Sequence, residues 1–454
     1  MSESEFDVVV LGAGSTGEVC AGRLAEAGLS VAIVEPHLVG GECSYYACMP
    51  SKALLRPGEL LAEVERVPGA REAVTGGLDA RATLARRDEV ISNCDDSGQV
   101  PWLEQRGIEL FRGAGALAGE RTVRVGEDLL TARRAVVIAT GSEAAMPPIE
   151  GLSEAQPWTN REATTAAEAP ASLVVLGGGP VGCELAQAWR TLGSEVVLIE
   201  SAERLLGSEE PFAGEQVAAA LGERGVDVRT GARATSVRRN GTVDVALDGG
   251  DKASGDELLV AVGRQARSAE IGLDTVGLEP GGFVDVDERF RVGGREWLYA
   301  IGDVNGIVAL THMGKYQGRL AADAIVGEDL PPIAQDRGAP RVTFTDPQVA
   351  AVGLTREQAI DRGVDTRVVD VETAANAGAS FHGRNAPGTS RIVVDERRRV
   401  IVGATFVGPE VGELLHAATV AVVAEVSLDD LWHAVAPFPT RGEIWLKLLE
   451  EYGL

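Results

Sequence analysis

A chain of 454 residues has room for about three domains, and its 45% hydrophobic against 24% charged residues are the balance of a protein with a proper core, not of a disordered one. Its 68 acidic and 42 basic residues give a formal charge of −26, a field that repels a phosphate backbone and argues against a nucleic-acid partner. No apolar run approaches the ~20 residues of a membrane helix. The opening MSESEFDVVV lacks the basic-then-apolar order of a signal peptide, so a soluble, cytoplasmic protein with no membrane contact is expected.

The first expected element is a βαβ unit over residues 6–35, FDVVVLGAGSTGEVCAGRLAEAGLSVAIVE. Gly12, Gly14 and Gly17 let backbone amides and a helix N-terminus approach a pyrophosphate, and Glu35 offers a carboxylate to a ribose hydroxyl. Next comes VGGECSYYACMPSKALLRP. In one regular helix the offset from Cys43 to Cys48 is about 7.5 Å of rise, too far for a disulfide. The pair can close if Cys43 precedes the helix and the helix begins near Pro50. Thiols at such a helix start sit at the positive end of the macrodipole, which lowers their pKa. A zinc site is disfavoured because no further Cys or His ligands lie nearby; a buried inert pair is the other reading. Cys20 and Cys183 read as small core residues, and Cys94 as helix packing.

Residues 172–200, SLVVLGGGPVGCELAQAWRTLGSEVVLIE, repeat the first unit, with Gly177, Gly179, Gly182 and a closing Glu200. One G-x-G-x-x-G is weak evidence, but two, each between strand and helix and each closed by Glu, imply two dinucleotides or one with a nucleotide-like partner. GARATSVRRNGTVDVALDGG and ELLVAVGR then read as short alternating strands. WLYAIGDVNG is an apolar strand ending in Gly-Asp, so Asp303 either accepts from a polyol or ribose or caps the next helix. From about residue 335 strands are followed by helices without a third glycine fingerprint, which suggests an α+β domain for association or substrate closure.

The order and spacing of LGAGSTG, GGEC-x4-CMPSK, ATGS, GGGPVGCE, VGR, YAIGDV, TFTDPQVAAVGLT and FPTRGE resemble the FAD-dependent pyridine nucleotide–disulfide oxidoreductases. That family includes dihydrolipoamide dehydrogenase, glutathione reductase and mercuric reductase, and the resemblance covers nearly the whole chain. It implies an α/β fold with two Rossmann-like dinucleotide-binding domains, for FAD and for NAD, plus a C-terminal α+β dimerisation domain. The implied bounds are 1–144 with 265–334 for a discontinuous FAD domain, 145–264 for the NAD(P) domain and 335–454 for dimerisation. Cys48 would then be the thiolate near the flavin and Cys43 the thiol that exchanges with substrate. Lys52 would lie by the flavin N5, paired with Glu184; an ammonium there stabilises negative charge on reduced flavin. Asp303 would hold the ribityl chain. Thr140 and Gly141 would mark the crossing between domains and Gly263 of VGR the return, with Gly41 of GGEC also among the cofactor-binding residues. The resemblance further implies a homodimer whose C-terminal segment completes the partner's site.

The chain departs from the family where it reads Phe438-Pro439-Thr440-Arg441-Gly442-Glu443. Disulfide reductases of the family have His at the first of these positions. Phenylalanine cannot shuttle protons, which forfeits a contribution of roughly 10²–10⁴-fold and leaves Glu443 without its imidazole. His433 is displaced by five residues and reads as a surface or packing residue. Tyr45 and Tyr46 fill the inter-cysteine segment where relatives have a smaller one; with Phe438 they suggest an aromatic mouth, unless they pack in the core. No cysteine lies beyond Cys183, which argues against a mercuric reductase and a large thioredoxin reductase. The expected function passes hydride from NAD(P)H through FAD to a Cys43–Cys48 disulfide and on to a disulfide substrate. Direct flavin-to-quinone reduction is the alternative, and a non-catalytic flavoprotein subunit or sensor a further one. Glu200 favours NADH over NADPH, since its carboxylate repels a 2′-phosphate; Arg204 lies close but follows Glu203.

Overall fold

The computed structural model describes residues 3–328, 330–384 and 386–454, which group into two compact units. The first takes in the chain up to Pro50, Arg87–Ala145 and Gly263–Gln335; the second comprises Ser51–Arg86, Met146–Val262 and Asp336–Leu454.

In the first unit, strands Ile108–Arg112, Val31–Glu35, Glu3–Leu11 and Asp128–Ile138 lie side by side and parallel, and Leu298–Ala300 pairs parallel with the end of Asp128–Ile138. Antiparallel strands Thr122–Val125 and Gly115–Leu117 extend the edge. The central stretches Val8–Leu11, Val31–Val34 and Ala135–Ile138 are apolar and buried on both faces, as a parallel sheet requires. Val8, Val10, Ile33 and Val137 pack with Leu24 and Leu320 of the flanking helices on one side, while Val9, Leu11, Val34 and Ile138 pack with Leu117 and Val123 on the other. The alternation follows from the two-residue period of a strand.

In the second unit, Val226–Arg229, Glu195–Ile199, Ser172–Leu176 and Glu257–Val260 form a wholly parallel sheet. A separate antiparallel sheet of Ala234–Asn240, Thr242–Leu247 and Lys252–Gly255 turns through Gly241 at φ +82°. A third sheet orders Arg341–Thr343, Gln348–Gly353, Val400–Gly408, Thr389–Asp395 and Thr366–Glu372, all antiparallel. Helices Leu415–Val423 and Ile444–Tyr452 cover it, burying Leu415, Ala418, Val422 and Leu448 against Val352, Ile392 and Phe406. The α/β class with an α+β C-terminal portion is therefore present.

Residues 51–86 cluster with the second unit because helix Cys48–Arg66 is fastened to it. Gly58 packs on Thr191, Glu59 accepts from Gln348 Nε2 at 2.8 Å and Arg66 pairs with Asp346. Two local expectations shift. This helix starts at Cys48 rather than near Pro50, and Cys43 lies in a separate short helix, Gly41–Tyr45. Cys94 sits in the tight turn Ser92–Cys94, with φ +57°, and not in a packed helix. Among the described residues no helix is long and apolar enough to cross a membrane.

Candidate active site

The first glycine loop is shaped by backbone crowding. Gly12 has φ +105°, and a Cβ on it would stand 2.4 Å from the Ala139 carbonyl oxygen. A Cβ on Gly17 would stand 1.9 Å from the Gly12 oxygen, so only glycine lets helix Ser15–Glu26 close on its own loop. Gly14 differs: as N-cap it faces open space, and no side chain caps the helix. Free first-turn amides at a bare glycine fit the pyrophosphate of a dinucleotide. Glu35 Oε2 accepts from Ala13 N at 2.9 Å and Oε1 from His37 N at 2.9 Å, which fixes the carboxylate at the loop's rim. Gly41, at φ +62°, lies so close that a Cβ would stand 2.7 Å from Gly14 Cα.

The same unit holds Thr140, Gly141, Gly263 and Asp303, which the resemblance offers for cofactor binding. Thr140 Oγ1 donates to the Arg267 carbonyl at 2.7 Å, and the Gly141 carbonyl accepts from Arg267 N at 3.0 Å. Gly263 O accepts from Ala145 N at 3.0 Å. Asp303 Oδ2 accepts from Ser142 Oγ at 2.6 Å, and Ser142 Oγ accepts from Arg264 Nε at 2.6 Å. Asp303 does not cap the following helix, which begins only at Thr311.

The second unit holds the second loop. Gly177 has φ +108°, a Cβ on Gly182 would stand 1.9 Å from the Gly177 oxygen, and the N-cap Gly179 faces open space. Glu200 Oε2 accepts from Gly178 N at 2.6 Å and Oε1 from Ala202 N at 2.7 Å, the arrangement of Glu35 repeated. On helix Pro180–Thr191, Glu184 is buried and accepts from Lys52 Nζ at 2.7 Å and from Phe344 N at 2.9 Å. The Lys52 ammonium also lies 4.7 Å from the Phe344 ring centre.

Cys43 and Cys48 are free thiols. The break between their helices at Tyr46 and Ala47 brings them together, and the Cys43 thiol hydrogen-bonds to Cys48. Cys48 Sγ lies 3.4 Å from Thr311 Oγ1. The expected lowering of the pKa does not hold at Cys43. It sits mid-way along its own short helix, and its pKa is raised by the hydrogen bond to Cys48, by burial and by the Cys48 charge, against opposing effects of Thr311 and Lys315.

Tyr45 packs in the core rather than lining an aromatic mouth. Tyr45 is 2% exposed, packs at 6.3 Å from the Tyr46 ring and has its phenol pushed up to about 12, chiefly by burial. Phe438 is 76% exposed, and Glu443 Oε2 is buried with no hydrogen-bond partner. His433 is exposed at the end of Leu428–Trp432. Cys20 and Cys183 are fully buried, and burial pushes the Cys20 thiol up to about 12.

Residues 6–318 match the family described as pyridine nucleotide-disulphide oxidoreductase, and residues 339–448 match the dimerisation domain of that family. The chain belongs to this family. A mercuric reductase of Staphylococcus aureus is 30% identical over 451 residues, covering 97% of this chain and 81% of its own. A dihydrolipoyl dehydrogenase of Thermus scotoductus is 33% identical over 448 residues, covering 96% and 95%. The HOCl-induced flavoprotein disulfide reductase RclA from Escherichia coli shares the fold, with a TM-score of 0.86 at 24% identity over 98% of this chain and 99% of its own. This pyridine nucleotide–disulfide oxidoreductase is thus an enzyme of flavin and pyridine nucleotide chemistry.

Several residues at its sites were not singled out from sequence. Thr311 and Lys315 belong to LTHMGKYQG, whose Gly314 and Gly318 at i, i+4 spacing are the one local sign of a closely packed helix. Glu18 lies inside the first fingerprint but matches no position that the fingerprint defines. Ser142 and Arg264 brace Asp303, and Phe344 braces Glu184, through contacts that only the tertiary fold makes.

Proposed function

We propose that this oxidoreductase takes hydride from NADH at the Gly177–Gly182 loop and reduces the Cys43–Cys48 pair by way of FAD at the Gly12–Gly17 loop. The pair then reduces a disulfide substrate. The observation that carries this reading is the dithiol: two free thiols joined by a hydrogen bond, one against a threonine hydroxyl, with no metal-ligand cluster among the described residues.

A flavin held by this chain would supply the two-electron link between nicotinamide and the thiol pair. The residues themselves bind and orient. Open amides at Gly14 and Gly179 receive pyrophosphates, while Glu35 and Glu200, fixed by their own backbone bonds, accept from ribose hydroxyls. Asp303 is assigned the ribityl chain and Lys52, anchored by Glu184, the positive charge beside the flavin ring. Cys43 attacks the substrate disulfide; Cys48 then displaces the second substrate thiol. The domain bounds implied by the resemblance are proposed with it, as is a homodimer through residues 339–448, whose matching family is named for dimerisation.

The test is NADH oxidation with a panel of small disulfides and quinones, comparing wild type with Cys43→Ser. Loss of disulfide reduction in the variant supports the proposal, and disulfide reduction that persists without Cys43 overturns it. A second reading, quinone reduction directly from the flavin, draws on the exposed Phe438 in place of histidine. It expects quinone turnover to survive Cys43→Ser and to exceed disulfide turnover in wild type.

A further inference from the structure

Two glycines press the loop after strand Thr366–Glu372 onto the rest of the second unit. A Cβ on Gly378 would stand 2.1 Å from the Thr440 carbonyl carbon, and one on Gly383, at φ +96°, 2.3 Å from the Arg66 carbonyl oxygen. Side-chain bonds then fix the loop. Thr373 Oγ1 donates to the Val407 carbonyl at 2.7 Å, Asn376 Nδ2 donates to the Thr373 carbonyl at 3.1 Å, and Ala379 N donates to Asn376 Oδ1 at 2.9 Å. Between this loop, Pro409 and Arg441 lies a cavity of about 200 Å³. At ~30 Å³ per water it has room for about six or seven waters, or for a ligand of about that many non-hydrogen atoms.

Arg441 gives the cavity its charge. Its side chain is 11% exposed, yet among the described residues its guanidinium makes no hydrogen bond, and its ion pair with Glu410 Oε2 is long, at 4.0 Å. Enclosed donors are costly to leave unmet, and the planar guanidinium fork matches a carboxylate or phosphate through two parallel bonds. His382 lines the same cavity, with Nδ1 3.6 Å from Glu410 Oε2. Burial and then the Arg441 charge hold the His382 pKa below its ordinary value, against Glu410, so at neutral pH the imidazole is mostly uncharged. The wall therefore carries one full positive charge, and both Glu410 and Glu63 act on it. A monoanion suits that balance, whereas the second charge of a phosphate is repelled by the two carboxylates.

We infer that this cavity is a binding site for a small monocarboxylate, held by paired bonds from Arg441 with the neutral His382 beside it. The second unit forms the cavity by itself, so the site does not depend on which acceptor the dithiol or the flavin serves.

The test titrates the holoenzyme with lactate, followed by saturation-transfer NMR of its methyl group, with the uncharged amide lactamide as control and inorganic phosphate as competitor. Lactate is expected to bind with a Kd below about 10 mM, phosphate at least about tenfold more weakly, and lactamide not measurably. Arg441→Met should weaken lactate at least about tenfold, and Arg441→Lys should recover part of the loss, because an ammonium keeps the charge without the fork. Glu410→Gln should tighten lactate roughly two- to fivefold by removing the opposing carboxylate. Lactate affinity unchanged in Arg441→Met overturns the inference, as do absent lactate binding and phosphate binding tighter than lactate. If Arg441→Met does not fold, Ala374→Phe replaces it, since Ala374 is an exposed residue of the cavity wall whose enlargement fills the cavity. Unchanged lactate binding in that variant overturns the inference too. Binding that appears only when the protein is diluted to monomers shows a second copy of the chain filling the cavity, and also overturns it.

Discussion

Lys52 and Glu184, 132 residues apart in the chain, meet at 2.7 Å. The carboxylate is 5% exposed and the ammonium 36%, so removing the lysine leaves a buried charge with one backbone donor, Phe344 N. Losing one partner of a fully buried pair costs about 3–5 kcal/mol. The exposed half of this one lowers the expectation for Lys52→Met to about 1–2 kcal/mol in urea unfolding. Flavin should stay bound while its reduction by NADH slows strongly in stopped flow. Unchanged reduction would leave the pair a purely structural tie.

The glycine loop separates folding from binding. Gly17→Ala places a Cβ 1.9 Å from the Gly12 oxygen, so it should destabilise the protein outright, visible as a lowered Tm. Gly14→Ala meets nothing within 4 Å, so the fold should hold while flavin affinity falls, because the new methyl occupies the approach to the open amides. Equal flavin retention in Gly14→Ala and wild type would contradict the assignment of this loop.

Glu200 accepts from two backbone amides, Gly178 N and Ala202 N, which holds its carboxylate in place, and the proposed reading sets it against a 2′-phosphate. NADH should therefore give a kcat/KM at least about tenfold above NADPH, the effect of roughly 1.4 kcal/mol of differential binding. Comparable values for the two nucleotides would refute the preference.

Phe438 is three-quarters exposed, so Phe438→His should leave the unfolding free energy within about 1 kcal/mol of wild type. Disulfide turnover should change little, whereas quinone turnover should fall if an aromatic surface assists that acceptor. A large gain in disulfide reduction would instead show that the histidine position still governs the exchange.

Asp7 ties two strands of the first unit. It accepts from Ser30 N at 2.9 Å and from Arg133 Nε at 3.0 Å, and the Arg133 bond leads the effects that hold its carboxyl well below the usual carboxylate range. A depressed folded-state pKa adds stability above the unfolded value of 3.8 and loses it as pH falls from there toward the folded value. Acid unfolding of Asp7→Asn should be flatter across that window than that of wild type, as followed by circular dichroism.

Both βαβ units could be read from the chain alone, because Gly17 and Gly182 must each clear the oxygen of the glycine that opens their own loop, and Gly12 and Gly177 take a positive φ. The closing Glu35 and Glu200 followed from the same short-range geometry. Helix dipoles are also local, and that is why reasoning from them misjudged Cys43, whose proton is governed by a neighbouring thiol. The burial of Tyr45 was likewise invisible, since a tyrosine between two cysteines has no periodicity to reveal its face. Thr311 reaches Cys48 across 263 residues of sequence, and its helix packs on Ser15–Glu26 through Gly314 and Gly318. The chain itself determined the two glycine loops and the close pair of cysteines. Tertiary packing alone decided which charges surround the pair, because that depends on which distant helices are brought into contact.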